Sequence, residues 1–281
     1  MSTVRVAVFS PPGLEEMVIE ALPMQHFMNG DLRIAYLDAG PRDAFPILLI
    51  HGFASTAHIN WVNTGWVKPL ADAGHRVIAL DNRGHGDSDK PHDPDRYTLA
   101  EMKSDSVALL DLLSIPQANV MGYSMGASIT ARLALDDPDR AASLIFGGRG
   151  SAILEPNLDW QSIADGLRAS SADDVTGEPA RRFRLFADQT GSDRIALAAC
   201  IQSIRAFFTE EELAKIENRA LVATGTKDDI AGPPEPFANA LAHGEVFHIK
   251  DRDHMLAVGD KTYKAAVLEF LADGSGSGVH G

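Results

Sequence analysis

Ala118-Asn119-Val120-Met121-Gly122-Tyr123-Ser124-Met125-Gly126 runs directly into Ala127-Ser128-Ile129-Thr130-Ala131-Arg132-Leu133-Ala134-Leu135. The first part is apolar and reads as a buried strand; the second has the composition of a helix. A strand that turns at once into a helix forces its corner residue into a strained backbone. Side chains beside that corner would collide, so glycine is needed at Gly122 and Gly126. Ser124 then stands exposed above the carboxyl edge of a sheet. The helix that begins beneath it aims free N–H groups and a positive dipole end at the same point. That arrangement suits attack on a carbonyl and stabilisation of the resulting oxyanion.

Upstream, Pro46-Ile47-Leu48-Leu49-Ile50 is a continuous apolar run, as in the interior of a parallel sheet, and it empties into His51-Gly52-Phe53-Ala54-Ser55. A glycine there lets the backbone turn its N–H groups toward the upper edge of the sheet. The N–H groups of Phe53 and Met125 are therefore assigned to an oxyanion hole. Downstream, the strand Arg219–Gly225 ends in Thr226-Lys227-Asp228-Asp229, which places a carboxylate on the edge that carries Ser124. Such a group can orient an imidazole. The imidazole expected is His254: of the ten histidines, it alone stands in the loop after the last strand, Glu245–Ile249.

Between these points apolar strands alternate with helical stretches. Strands are expected at Pro46–Ile50, Arg76–Leu80, Asn119–Tyr123, Ala142–Phe146, Ala220–Thr224 and Glu245–Ile249. Helices are expected at Trp61–Ala73, Leu99–Leu113 and Ser124–Leu135, the last stopped by Asp137-Pro138. Alternation of this kind predicts an α/β chain with a mostly parallel sheet covered on both faces. Ahead of it, Met24–Phe27 and Leu32–Leu37, separated by Asn29-Gly30, read as a hairpin at the antiparallel end of the sheet. The rhythm breaks between about Gly150 and Leu213, where helical pieces are expected at Asp159–Ala169, Pro179–Phe186 and Ser192–Phe208.

Taken in chain order, His51-Gly52-Phe53, Asp81-Asn82-Arg83-Gly84-His85-Gly86-Asp87-Ser88, the Ser124 elbow, Gly225-Thr226-Lys227-Asp228 and Asp253-His254 resemble the α/β-hydrolase superfamily, and the resemblance runs from about Gln25 to about Leu271. It implies an eight-stranded-type sheet with Ser124 as nucleophile, His254 as general base and Asp228 as the acid that orients it. Asp228 matches better than Asp229 because the family's acid usually falls three residues after the strand-ending glycine. Some members carry the acid after the sixth strand; here that position reads Gly148-Arg149-Gly150-Ser151, with no acid at hand. Many relatives follow the nucleophile with Met-Gly-Gly, whereas Ala127 takes the second glycine here. The Asp81–Ser88 segment is typical of the family, with a structural role.

The resemblance also implies a division into a core (1–149 and 213–272), a helical cap (150–212) and a flexible tail (273–281). Dehalogenases and epoxide hydrolases of this fold place Asp at the elbow to form an alkyl ester; Ser124 instead implies acyl transfer. The implied activity is hydrolysis of small to medium carboxylic esters through an acyl-enzyme, with no cofactor and no metal. Rival readings are a C–C bond hydrolase of vinylogous diketone acids, a lactonase, a cofactor-free perhydrolase, and a small-ligand sensor without turnover. The C–C reading requires a cation such as Arg184 to face the pocket. Within the cap, Arg181-Arg182-Phe183-Arg184 reads either as an arginine reaching the cleft or as a solvated helix face, the latter favoured. Trp160, Phe207 and Phe208 are candidates for an acyl pocket or for cap packing, and one of Trp61 and Trp66 for the cleft.

Composition fits these expectations. The 281 residues suffice for one large core with a small appendage, and a formal net charge of −14 repels nucleic acid and anionic membranes. No apolar run is long enough to cross a bilayer. Cys200 is the single cysteine, expected to be buried on a helix, so no internal disulfide can form. The first ten residues lack a secretory-signal pattern, so a cytoplasmic location is expected. The sequence leaves the oligomeric state open.

Overall fold

The chain enters its sheet through a two-residue hairpin turn in which Gly30 takes a φ of +62°, a left-handed value that glycine adopts without strain. The computed structural model describes residues 22–155, 159–204 and 207–274. The first twenty or so residues and the tail beyond Gly274 lie outside them. The strands are β1 (Gln25–Asn29), β2 (Leu32–Ala39), β3 (Pro46–Ile50), β4 (Arg76–Leu80), β5 (Ala118–Tyr123), β6 (Ala141–Gly147), β7 (Ala220–Gly225) and β8 (Gly244–Ile249). They form one eight-stranded sheet in the order β1-β2-β4-β3-β5-β6-β7-β8. β2 pairs antiparallel with β1 and β4, and the other pairings are parallel.

The helices are α1 (Val67–Asp72), α2 (Leu99–Leu112), α3 (Met125–Asp136), α4 (Trp160–Arg168), α5 (Glu178–Gln189), α6 (Arg194–Ser203), α7 (Glu210–Leu213), α8 (Glu235–Ala240), α9 (His254–Ala257) and α10 (Lys261–Gly274). Strand side chains alternate between the two faces of a sheet. Leu48 and Ile50 of β3 join one apolar cluster, with Met102 and Leu109 of α2, Ile129 of α3 and Phe237 of α8. Their neighbours Ile47 and Leu49 join a second, with Leu70 of α1 and Val267 and Phe270 of α10. This is why the central strands are apolar throughout: both faces are covered. Each buried leucine or isoleucine contributes about 1.5–3 kcal/mol relative to exposure.

The expected helix over Trp61–Ala73 is divided. A π-helical turn covers His58–Val62, and α1 begins at Val67. Between them Gly65 turns the chain with a φ of +75°. Trp61 and Trp66 are both fully buried, packed edge to face at 6.1 Å, so neither faces the cleft.

The Asp81–Ser88 segment braces the upper edge of β4. Asp81 accepts the N–H groups of Ala57 and Asp87 at 2.7 and 2.8 Å, and Arg83 forks onto Asp105 at 2.7 and 2.9 Å. Gly86 is obligatory, because a Cβ there would lie 2.0 Å from the Asp81 carboxylate. Between β6 and β7, α4 packs against both α5 and α6. Phe208 is buried and Phe207 stands at the surface.

Candidate active site

Ser124 joins β5 to α3 with φ +53° and ψ −112°, a region that costs a non-glycine residue about 1–3 kcal/mol. Its flanking glycines allow the corner. A Cβ on Gly122 would lie 2.2 Å from the Gly126 carbonyl oxygen, and one on Gly126 would lie 2.0 Å from that of Ile50. The Ser124 N–H donates to the Gly147 carbonyl at 2.8 Å, which fixes the corner against the end of β6. Ala127, at the position where many relatives have a second glycine, fits fully buried.

His254 opens α9, and its Nε2 lies 2.9 Å from Ser124 Oγ. Its Nδ1 lies 2.8 and 3.0 Å from the two carboxylate oxygens of Asp228. A carboxylate only accepts, so Nδ1 carries the proton and Nε2 is left to accept from the serine hydroxyl. Asp228 is buried, and its Oδ1 also accepts the N–H groups of Ile230 and Ala231 at 3.0 and 2.8 Å. The Tyr123 hydroxyl donates to the His254 carbonyl at 2.6 Å and holds this residue from below. Asp229, the alternative acid, points to the surface and pairs with Arg182 at 3.2 Å.

The loop after β3 lies against the elbow, since a Cβ on Gly52 would be 3.4 Å from that of Ser124. Among the described residues, neither the Phe53 N–H nor the Met125 N–H has an acceptor. Met125 is the first residue of α3, where an unpaired N–H is inherent. Asn60 Oδ1 accepts the Gly52 N–H at 3.2 Å. His51 Nε2 accepts the Asn82 N–H at 2.9 Å and its Nδ1–H donates to the Gly52 carbonyl at 2.7 Å, so this ring pins the loop to the end of β4.

Behind the site, the Trp66 indole N–H donates to the Val258 carbonyl at 2.7 Å. The Lys264 ammonium bonds the carbonyls of Thr64 and Gly259. The segment that carries His254 is thereby tied to the one that follows the Phe53 loop.

Two cavities meet at Ser124. The larger, about 470 Å³, is lined by Gly52, Phe53, Asn60, Phe183, Phe186 and Met255, with Ser124 and His254. Phe183 of α5 meets Phe53 edge to face at 5.5 Å. The smaller, about 30 Å³, shares Phe53, Ser124, Phe183 and Ile230 with the first and adds Met125, Ser128, Arg149, Trp160, Ile201 and Ile204.

Ser124, Asp228 and His254 are thus brought together, with Phe53 and Met125 beside them. The arginine run of α5 divides between the cavity and the packing of its neighbours. Arg182 lines the larger cavity, whereas Arg184 is buried on Asp188 and the carbonyls of Gly166 and Ala169. Arg149 enters the sequence reading only within a turn that lacks an acid, and Asn60 does not enter it. Cys200 is buried on α6, 3.9 Å from the Met125 sulfur, and burial pushes its thiol pKa up. Among the described residues no group of three His, Cys, Asp or Glu could hold a metal ion, and no helix is long and apolar enough to cross a membrane.

Residues 46–199, more than half of the chain, match the sequence pattern of the family described as alpha/beta hydrolase fold. A haloalkane dehalogenase of Psychrobacter cryohalolentis (strain K5) is 38% identical over 119 residues, 42% of this chain; the match spans only 38% of that relative's length. The candidate carbamate hydrolase RutD of Variovorax paradoxus (strain S110) is 28% identical over 270 residues, covering 85% of this chain and 96% of the relative. Among solved structures, a hydrolase from Pseudomonas aeruginosa PA01 superposes with a TM-score of 0.76 at 27% identity, over 88% of this chain and 98% of that one.

Proposed function

We propose, given that the chain belongs to the α/β-hydrolase fold family, that it is a serine hydrolase that cleaves carboxylic esters through an acyl-enzyme. The observation that carries this reading is the unbroken hydrogen-bonded line from Ser124 through His254 to Asp228, at 2.9 and 2.8 Å. In the first half-reaction Ser124 Oγ bonds to the ester carbonyl carbon and its proton passes to His254 Nε2. Asp228 holds the ring's tautomer and stabilises the imidazolium. The oxyanion takes the N–H groups of Phe53 and Met125, each worth about 3–4 kcal/mol of transition-state stabilisation in such sites. The carbon–alkoxide bond breaks and His254 gives its proton to the departing alcohol. Water then enters, loses a proton to His254, and releases the carboxylic acid and the free serine.

A hydroxyl rather than a carboxylate at the elbow supports acyl transfer over the alkyl-ester chemistry of the dehalogenases. The C–C bond reading cannot use Arg184, which is occupied within α5 and by carbonyls of α4 and the residue after it, and would have to rely on its neighbour Arg182, which lines the larger cavity. We read α4–α6 as a cap whose α5 residues set the shape of the larger cavity. The test is covalent. A fluorophosphonate should label Ser124, p-nitrophenyl acetate and butyrate should be hydrolysed, and Ser124→Ala should lose both labelling and at least about 10⁴-fold in kcat. Native protein that neither takes the label nor turns over the esters would point to the ligand sensor instead.

A further inference from the structure

Among the described residues, Arg149 has no counter-charge. The guanidinium is buried, its residue 6% exposed, and its Nε is enclosed with no acceptor. Burial alone acts on its pKa, bringing it down to about 10, so it stays protonated at neutral pH. A buried charge without a partner is costly, and folded proteins hold such groups where a ligand supplies the missing one. Its backbone setting is built for this placement. Gly148, at φ +60°, lies so close to Tyr123 that a Cβ would meet its ring at 2.6 Å. A Cβ on Gly150 would lie 2.3 Å from the Pro233 carbonyl oxygen. The two glycines let the loop after β6 press inward, and Arg149 lines the small cavity beside Ser124 and Met125.

Trp160, at the start of α4, lines the same cavity, and among the described residues its buried indole N–H has no acceptor. Ser128, one turn into α3, adds a hydroxyl to the lining. The space of about 30 Å³ admits roughly two water molecules, or one carboxylate. Within walls that are otherwise largely apolar, Ile201 and Ile204 among them, a charged donor and an indole N–H that lack acceptors among the described residues favour a small anionic guest.

We propose that Arg149 and Trp160 bind a carboxylate carried a few bonds from the scissile carbonyl, so that the preferred substrate is the hemi-ester of a short dicarboxylic acid. This rests on the reading of Ser124 as nucleophile and names its substrate class. The larger cavity then receives the alcohol portion. Arg149 is a specificity-determining residue in this scheme and takes no part in bond breaking.

The experiment compares monobenzyl succinate with benzyl butyrate, following release of benzyl alcohol by wild type, Arg149→Met and Trp160→Phe. A charge-assisted hydrogen bond should favour the acid in kcat/KM by between about tenfold and a hundredfold in wild type. Arg149→Met should abolish that preference through a raised KM for the acid, leaving the two esters used alike. Trp160→Phe should weaken the preference less. Succinate alone should raise the melting temperature of wild type and leave that of Arg149→Met unmoved. Without ligand, Arg149→Met should melt no lower than wild type, since it removes an unpaired buried charge. Equal use of the two esters by wild type overturns the proposal, as does an Arg149→Met loss shared equally by both. If neither ester is cleaved and Ser124 resists the fluorophosphonate, the hydrolase reading has failed. The succinate melting shift, with its dependence on Arg149, then decides on its own for or against the anion pocket.

Discussion

Asp228 and Asp229 are chemically identical neighbours with opposite surroundings. Asp228 is buried and receives three N–H donors, two from the backbone and one from His254. Asp229 meets solvent and one exposed arginine. Asp228→Asn should therefore cost about 10⁴-fold in kcat by presenting the imidazole with the wrong tautomer. Asp229→Asn should leave kcat within about twofold, since an exposed ion pair contributes under about 1 kcal/mol. Single-turnover kinetics on p-nitrophenyl butyrate would separate them, and the reverse ranking would remove Asp228 from the proposed triad. At this scale the sequence was informative because the elbow admits so few residues. Gly122 and Gly126 face carbonyl oxygens at about 2 Å from where a Cβ would stand, so their spacing around Ser124 is a steric requirement that can be read without coordinates. Arg149 could not be read in the same way. An arginine between glycines has the look of a solvated turn, and the close approach of those glycines to Tyr123 and Pro233 is something only the fold creates.

The strands were legible for a related reason: β3 to β7 are covered on both faces, and unbroken apolar runs leave little freedom of assignment. Helix boundaries were less so. Gly65 interrupts the segment after Trp61 through a backbone angle that periodicity does not register. The arginine run of α5 was harder still, since whether Arg184 meets water or α4 depends on how the three helices between β6 and β7 pack. The same packing places Phe183 over Phe53 at the larger cavity. Such an aromatic pair adds about 0.5–1.5 kcal/mol beyond the area it buries. Phe183→Ala should open that cavity and move the preference toward bulkier esters, raising KM for the acetate several-fold while kcat for longer or branched esters holds or rises. A chain-length series of p-nitrophenyl esters checks this, and an unchanged profile would argue that α5 does not set the shape.

Across the whole molecule, two buried rings, with the partly buried His75 acting in the same direction, make stability fall in acid. Burial holds the pKa of His51 down to about 4, and burial with His51 nearby holds that of His85 down to about 3. Unfolded, each titrates near 6.5. Between those values the unfolded chain binds more protons than the folded one. The stability linked to these rings is therefore complete above about pH 6.5 and drains as pH falls, at up to about 1.4 kcal/mol per pH unit for each ring, until about pH 3–4. Urea midpoints measured from pH 7.5 down to pH 4.5 should show this slope, and His85→Asn should flatten it by close to one proton. An identical slope in the variant would mean that the acid sensitivity arises elsewhere.

The ties of Trp66 to Val258 and of Lys264 to Thr64 and Gly259 bear on how such a protein dies when heated. They bind the segment that bears His254 and the segment that follows the Phe53 loop into a single bracket, although nearly two hundred residues separate them along the chain. Loosening at the last helix would reach both halves of the reaction centre at once. Inactivation on warming would then be abrupt, without an interval in which a crippled catalyst keeps partial turnover.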